Sequence, residues 1–458
     1  MKENKYDAIV IGAGLTGLTT AFYLNKAGKK VAVVEKENRI GGQIGSFKQE
    51  GFVFEQGPNT GVVSHPEVAE LFQDLSPLCT LETAKEESKY RLIWKGKKFH
   101  AIPSSLLGGL FTPLFTLPDK FRLLGEPFRK KGTNPDETVA QLAARRLGKS
   151  FVDYAVDPFL SGVYAGDPNT LITRYALPRL YNLEQNYNSF IRGTIAKMRE
   201  PKTERDKLAS KKVFSAKDGL SQLTDAMGKR IGKDQLFTSA NNTVVSQLEN
   251  KEWKVSFTQN EKSVELIADH VITTSGAYTL PEILPFVEKE WMDAISNLTY
   301  APVVQISVGV KDTGDLDFNA FGGLVPSREK RDVLGILFPS GCFDGRAPEK
   351  GAIFAFFIGG VKRAELTRLS DKELEELVIR NFHEMLHFPK TKKPDLIHIF
   401  RHKKAIPQYE LNSGERFAAV DAIQKKYPGL IIAGNLKGGI GMADRIKQGV
   451  TIANELSK

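Results

Sequence analysis

Three glycines and one acid carry the first chemistry legible in the chain: Gly12, Gly14 and Gly17 in the run IGAGLTG from Ile11 to Gly17, and Glu35 beyond them. A dinucleotide needs such a set. Gly12 suits a tight turn, Gly14 lets a pyrophosphate approach the backbone, and Gly17 lets a helix pack closely on the preceding strand. A helix beginning there offers free N–H groups and partial positive charge to a diphosphate. Glu35 can accept hydrogen bonds from ribose hydroxyls. The elements that must position these residues surround them. Tyr6–Ile11 is an apolar run that predicts a buried parallel strand, Leu15–Ala27 predicts a helix stopped by Gly28, and Val31–Val34 predicts a second strand. A Gly-x-Gly-x-x-Gly alone is weak, but a strand, a helix and an acid in these places predict a βαβ nucleotide-binding unit.

Lys36 and then Arg39-Ile40-Gly41-Gly42 follow the second strand. The R-x-G-G resembles the two-dinucleotide-binding-domain flavoproteins, in which the arginine and a close backbone add contacts to the diphosphate. That resemblance implies FAD rather than a nicotinamide nucleotide.

Composition agrees with a large globular protein. The chain has 458 residues, enough for two or three domains, and ordinary apolar content. Because it enters the nucleotide strand within six residues, no signal peptide is expected. Two cysteines, Cys79 and Cys342, do not make a disulfide scaffold, so a cytoplasmic location is expected. A formal net charge of +10 points to an anionic partner. With no basic stripe interleaved with aromatics, nucleic acid is not expected.

Along the chain, Gly51–Pro58 (GFVFEQGP) predicts a strand ending in a turn at Gly57-Pro58-Asn59, Pro66–Leu75 a surface helix, and Tyr90–Ile102 a hairpin turning at 95–98. Ser104–Leu117 (SSLLGGLFTPLFTL) is uncharged and largely apolar but too short to span a bilayer. Flanked by Lys120, Arg122, Arg129, Lys130 and Lys131, it reads either as an interfacial patch or as a kinked core helix. Thr138 caps a helix running to Leu147, and helical composition continues to about Arg199. Lys202–Lys212 is a charged connection. From Gly219 a β pattern is expected, with strands at 242–247, 252–258, 270–274 and 303–310. Ser370-x-x-Glu373 is a capping box for a helix to His387. Leu430–Ala433 is a strand into Gly434-Asn435, and Gly438-Gly439-Ile440-Gly441-Met442-Ala443 opens a last helix. This second glycine-rich junction suggests a nucleotide-binding domain assembled from separated segments. The last helix would aim N–H groups at the flavin's polar edge.

Asp157–Pro168 (DPFLSGVYAGDP) resembles the signature of the protoporphyrinogen oxidases, flavoenzymes of late haem synthesis. Phe321–Ser327, Leu334–Phe338, Phe357–Gly360, Ile406–Tyr409 and Ala433–Asn435 fall in that family's order as well. The resemblance spans essentially the whole chain and implies an α/β fold. Its parts would be a Rossmann-like FAD-binding domain (1–62, 210–285 and 410–458), an α+β substrate domain (63–104 and 286–409) and a helical membrane-associating domain (105–209). It implies non-covalent FAD along Gly12, Gly14, Gly17, Glu35, Lys36, Arg39, Gly41, Gly42, Gly57, Asn59, Val245, Gly434, Gly439, Gly441, Met442 and Ala443. It also implies a flat substrate near Asn59, between Leu324, Leu337 and Phe357, with the Gly162 carbonyl facing the pyrrole N–H groups and Arg91 pairing with a propionate. The implied reaction is three successive hydride transfers from porphyrinogen to the flavin, with molecular oxygen returning as peroxide and no acid–base residue required. The implied partners are an anionic membrane surface on the inner face of the cell membrane, a ferrochelatase receiving product, and a second copy in a homodimer.

Other readings remain. Amine oxidases and carotenoid desaturases share the fold, but Asn435–Gly439 carries no cysteine for a covalent flavin, and a desaturase would not need Arg91. Coproporphyrinogen III oxidase is the nearer rival. In that branch a lysine-bearing stretch follows the G-P-D/N turn and the arginine matching Arg91 is missing; here the stretch is Val62–Pro66 and Arg91 is present. His65 reads as a surface-turn residue first and a propionate contact second. His383-Glu384-Met385-Leu386-His387 is an H-E-x-x-H, the zinc-protease pattern, but Pro389 and three nearby lysines make a poor neighbourhood for a cation, so no metal is expected.

Overall fold

The computed structural model of the chain describes residues 5–103 and 106–458, without the side chains of 106, 107 and 110. Ser104 and Ser105 of the apolar run therefore lie outside the described residues.

Strand Lys5–Ile11 pairs in parallel with Val31–Val34 on one side and with Lys262–Thr273 on the other. Leu236–Phe237 extends the sheet beyond Val31–Val34, and Leu430–Ile432 pairs in parallel with Lys262–Thr273. Strands from the beginning, middle and end of the chain thus build one nucleotide-binding sheet. Uninterrupted apolar runs are what burial on both faces requires, and all four residues of Val31–Val34 are buried. Helices Leu15–Lys26 and Met442–Leu456 cover one face side by side. Their contact is close enough that a β carbon on Gly449 would stand 2.7 Å from Thr19 Cβ.

Three local expectations are corrected. Where a β pattern was expected from Gly219, a helix runs over Ser221–Ile231. Its signal is a stripe at helical spacing, Leu220, Leu223, Met227 and Ile231, all buried. The helix Pro66–Leu75 is not a surface element, because Val68, Leu71, Phe72 and Leu75 enter the core under the nucleotide sheet. The 202–212 connection contains a short helix, Glu204–Lys207, and Arg205 ties it to Glu67 and Glu70.

The second sheet has seven strands, in the order Leu396–Pro407, Tyr300–Val310, Ala352–Gly359, Gly335–Leu337, Gly322–Leu324, Arg91–Lys95 and Lys98–Ala101. Only Gly322–Leu324 against Arg91–Lys95 is parallel. Helix Asp371–Leu386, opened by the expected Ser370/Glu373 capping box, closes the back of this sheet over Phe354, Phe356 and Ile336. The front face meets segment 43–57. Gln305 Nε2 donates to the Glu55 carbonyl at 2.6 Å, Gln43 Nε2 donates to the Ala405 carbonyl at 3.1 Å, and His402 Nε2 lies 2.6 Å from the Gln56 carbonyl.

Between residues 106 and 199 the chain is helical, around a buried ion cluster. Arg146 and Glu126 are fully buried and paired at 2.9 Å, and Arg146 also meets Glu184 at 2.6 Å. The apolar run is part buried and part exposed. Leu114 is buried against Ile93, Tyr154 and Leu324, and Phe115 stacks on Phe151 at 4.0 Å, whereas Phe111 and Leu117 are exposed. Pro113 breaks the run into helices Leu106–Phe111 and Leu117–Leu124. Among the described residues no helix is long and apolar enough to cross a membrane.

Candidate functional site

The first half of the site is the glycine loop. Gly12 has φ +104°, and Gly17 packs so tightly that a β carbon there would stand 2.0 Å from the Gly12 carbonyl oxygen. At Gly14 nothing lies within 4 Å of the same position, so the loop opens where a pyrophosphate would approach. Gly14 is the N-cap of helix Leu15–Lys26 and brings no side chain to its free N–H groups. Glu35 ends its strand with one carboxylate oxygen accepting from Ala13 N at 2.6 Å and the other from Glu37 N at 2.9 Å; Lys36, beside it, is exposed. Arg39 braces the next loop, donating to the carbonyls of Ile44 at 2.8 Å and Gly42 at 2.6 Å. Gly41 and Gly42 both have positive φ, and Gly42 comes against Gly14. Asn59 is buried and donates to the Gly57 carbonyl. At the far end, Arg445 holds the Gly434, Lys437 and Gly438 carbonyls, and the Tyr409 hydroxyl bridges Asn435 and Gly439. Met442 and Ala443 are buried in the first turn of the last helix. The Val245 side chain is fully buried in the core, leaving its backbone as the part that can meet a ligand.

The second half is one face of the antiparallel sheet, and strand register assembles it. Leu324 pairs with Gly335, and Gly335 pairs with Phe357. Leu337 stands two residues beyond Gly335, on the same side. Having no side chain, Gly335 leaves a notch that Leu324 fills, with Leu324 Cδ2 3.3 Å from where a β carbon would be. Gly322, two residues from Leu324, pairs with Arg91, so the guanidinium falls at the edge of the same face. Arg91 is exposed, its guanidinium 5.6 Å from the centre of the Phe321 ring, and it has no carboxylate partner among the described residues. Gly162, on helix Asp157–Val163, comes down on Leu324 from outside the sheet. Next along the face, Phe357 pairs with Gln305, which grips Glu55 two residues before Gly57. The strand beside Phe357 therefore touches the segment that leads into Gly57.

A family model described as flavin containing amine oxidoreductase matches residues 15–457. The chain belongs to that family. It is a flavin-dependent oxidoreductase. Within the family it is similar to protoporphyrinogen oxidase 2, chloroplastic/mitochondrial, of Arabidopsis thaliana, at 28% identity over 97% of this chain and 92% of that protein. It is also similar to coproporphyrinogen III oxidase of Bacillus subtilis (strain 168), at 24% identity over 98% of this chain and 97% of that one. A crystal structure described as "Putative protoporphyrinogen oxidase from Exiguobacterium sp. 255-15" superimposes with TM-score 0.81 at 19% identity, covering 100% of this chain and 99% of that one. The resemblance read from DPFLSGVYAGDP is upheld by these relatives.

The residues present fit a flavin nucleotide. An uncapped helix start, an open space at Gly14 and a second glycine loop against it form a cradle that side chains would fill. A shallow cleft of about 490 Å³ beside Arg39, lined by Ser46, Phe47, Gln56 and Asp225, contains none of the nucleotide-loop glycines and is not this cradle.

Several residues of this flavin-dependent oxidoreductase were not anticipated. Asp157, buried at the start of the Gly162 helix, accepts from Ser327 N at 2.7 Å and Ser327 Oγ at 3.1 Å, and pairs with Lys362. It thereby ties that helix to the loops following Leu324 and Phe357. The Asp157-Pro158 start was visible in the sequence, but nothing local marked Ser327 or Lys362. His65 is not a solvent-facing turn: its Nε2 lies 3.1 Å from Asp444 Oδ1 in the last helix. Burial alone would raise the Asp444 carboxyl, but the facing His65 holds it below its ordinary range. The H-E-x-x-H residues do not gather: His383 Nδ1 meets the Phe388 carbonyl at 3.0 Å, and Glu384 pairs with Arg331. Among the described residues no three His, Cys, Asp or Glu side chains could hold a metal together. Burial pushes the Cys79 thiol up to about 12 and Cys342 up to about 11, so both stay protonated.

Proposed function

We propose that this chain is an oxygen-dependent protoporphyrinogen oxidase that binds FAD non-covalently. One observation carries the reading: Leu324, Leu337 and Phe357 stand on one sheet face, with Gly162 above and Arg91 at the edge. A porphyrinogen is an uncharged macrocycle with carboxylate arms, so it needs an apolar slot with a cation at the mouth. When bound, FAD supplies the hydride acceptor, N5, and passes electrons on to oxygen as peroxide. The chain's own part is positional. Leu324, Leu337 and Phe357 hold the ring flat and exclude water. Gly162, which offers a carbonyl and no side chain, faces the pyrrole N–H groups. Arg91 takes a propionate and fixes which edge of the ring enters. Asn59, buried and bonded to the Gly57 carbonyl, is assigned to both flavin and substrate.

The proposal extends to the division into an FAD-binding domain (1–62, 210–285, 410–458), a substrate domain (63–104, 286–409) and a helical membrane-associating domain (105–209). It includes a cytoplasmic protein docked on the inner face of an anionic membrane, passing product to a ferrochelatase and pairing as a homodimer. The test is direct. Purified protein supplied with protoporphyrinogen IX in air should release non-covalent FAD on acid treatment and form fluorescent porphyrin with three peroxides per ring. A protein that carries FAD but leaves every porphyrinogen unoxidised overturns the activity while leaving the family intact.

A further inference from the structure

The turn Glu126–Phe128 and the residues after it face Asn188 and Arg192 across a pocket of about 540 Å³. Arg129, Lys130, Lys131 and Arg192 line it, and no acid does. None of these four cations has a carboxylate partner among the described residues, although ion pairs are frequent elsewhere on this surface. Arg129 Nε is buried with no hydrogen-bond acceptor. A concentration of uncompensated positive charge around a buried free donor is the chemistry of an anion site.

The pocket is built rather than incidental. The fully buried Arg146 donates to the carbonyls of Glu126 at 3.2 Å, Arg129 at 3.3 Å and Asn188 at 2.7 Å, pinning both walls. The Glu126 carboxylate accepts from Phe190 N at 2.9 Å and Ser189 Oγ at 2.5 Å, so the start of helix Phe190–Arg199 is already capped. An anion would be met by side chains, with the Arg192 guanidinium held 5.7 Å from the centre of the Phe128 ring.

Around the pocket the surface is apolar. Leu117, Phe121 and Leu124 lie on one side of helix Leu117–Leu124 and are all exposed, and Phe128, in the turn that follows, is 83% exposed. Ile195 and Met198, on the helix that carries Arg192, are exposed too. Exposed apolar side chains in the segments flanking a cationic pocket suit a phosphate group attached to an apolar body at an interface. We propose that the Arg129–Lys130–Lys131–Arg192 pocket binds the phosphoryl headgroup of an anionic lipid and seats Leu117, Phe121, Leu124 and Phe128 in the bilayer. This rests on the membrane-surface reading above and assigns it a specific contact.

The test uses the flavin-loaded full chain and sedimentation with vesicles of phosphatidylcholine alone or mixed with phosphatidylglycerol. The wild type should bind the mixed vesicles, and Lys130→Ala/Lys131→Ala/Arg192→Ala should weaken that binding about tenfold or more. Lys229→Ala/Lys233→Ala/Lys372→Ala removes equal charge elsewhere and should bind as the wild type does. Porphyrinogen oxidation in solution should be unchanged in both, and Arg192→Lys should retain vesicle binding. If the pocket variant binds as tightly as the wild type, the pocket assignment is overturned and the membrane reading survives. Wild type that ignores both vesicle types sinks both. If inorganic pyrophosphate raises the melting temperature of the wild type but not of the pocket variant, while vesicles bind neither, the site takes soluble phosphate and the lipid assignment is wrong.

Discussion

Leu324 lies directly against Gly162: a β carbon at position 162 would stand 2.4 Å from Leu324 Cδ2. The helix and the sheet wall touch where the wall's shape is decided, and Asp157 locks that helix in place through Ser327 and Lys362. Neither side can retreat without opening the wall.

Gly162→Ala should therefore displace Leu324 into the slot. Overpacking of this kind costs about 1–3 kcal/mol, so kcat/KM for porphyrinogen should fall about 10- to 100-fold. Flavin content should stay at the wild-type level, since the proposed role of Gly162 is toward the substrate. Gly162→Ala combined with Leu324→Ala should recover part of the loss. Wild-type kinetics in Gly162→Ala would mean the contact is not part of the site.

The two loop glycines should fail in different ways. A β carbon at Gly14 meets no protein atom within 4 Å, so Gly14→Val should fold and melt like the wild-type apoprotein yet purify without flavin. A side chain at Gly17 meets the Gly12 carbonyl, a backbone atom that cannot swing away. Gly17→Ala should lose about 2 kcal/mol of apoprotein stability as well as the flavin. Denaturant unfolding with and without added FAD separates the two. Equal destabilisation by both substitutions would contradict this reading of the loop.

Glu55 supplies the pH dependence. It is buried on the strand before Gly57, accepting from Ser46 Oγ at 2.6 Å and Leu220 N at 2.9 Å, and burial pushes its carboxyl up to about 7 from an ordinary 4.5. Between those values the folded chain holds a proton that the unfolded chain has released. Stability contributed by this group must therefore fall as pH rises from about 4.5 to about 7, by at most about 3 kcal/mol. Glu55→Gln keeps the hydrogen-bonding shape and should flatten that slope in urea unfolding across the window. An unchanged slope would assign the dependence to other groups.

The βαβ unit and the last helix were legible because their signals are local: glycine spacing, apolar runs and an acid at a strand end. The hairpin at 90–102, the helix 66–75 and the capping box at 370 were legible for the same reason. The Ser221–Ile231 helix carried its stripe openly and was obscured only by the strands around it. The site is different. Leu324, Leu337 and Phe357 look like ordinary core in sequence, and what aligns them is the register of short strands around Gly335, which pairing over long separations decides. The Asp157–Ser327–Lys362 tie and the His65–Asp444 contact span up to 379 residues of chain and leave no local mark. For Leu324, Leu337 and Phe357 the resemblance to a family stood in for what spacing could not supply; for the two ties it supplied nothing.

On the proposed reading Arg91 sets the preference between the two porphyrinogens. It sits exposed at the sheet edge without a carboxylate partner among the described residues, while the wall behind it is apolar. Protoporphyrinogen IX has two propionates on one side; coproporphyrinogen III has four, and leaving the additional carboxylates buried and unpaired would cost several kcal/mol. The chain should therefore show a higher kcat/KM for protoporphyrinogen IX when both are oxidised in air and followed by porphyrin fluorescence. Lysines at the rim can lessen the difference, but a tenfold preference for coproporphyrinogen III would overturn the assignment and leave the fold and the flavin untouched. If Arg91 holds a propionate equally before and during oxidation, Arg91→Ala removes uniform binding, so KM should rise about tenfold with kcat within about twofold of wild type. Arg91→Lys keeps the charge but loses the planar fork and should fall between the two. Should both kinetic constants survive Arg91→Ala unchanged, the propionate is held elsewhere, and the preference for the less charged porphyrinogen loses its physical basis.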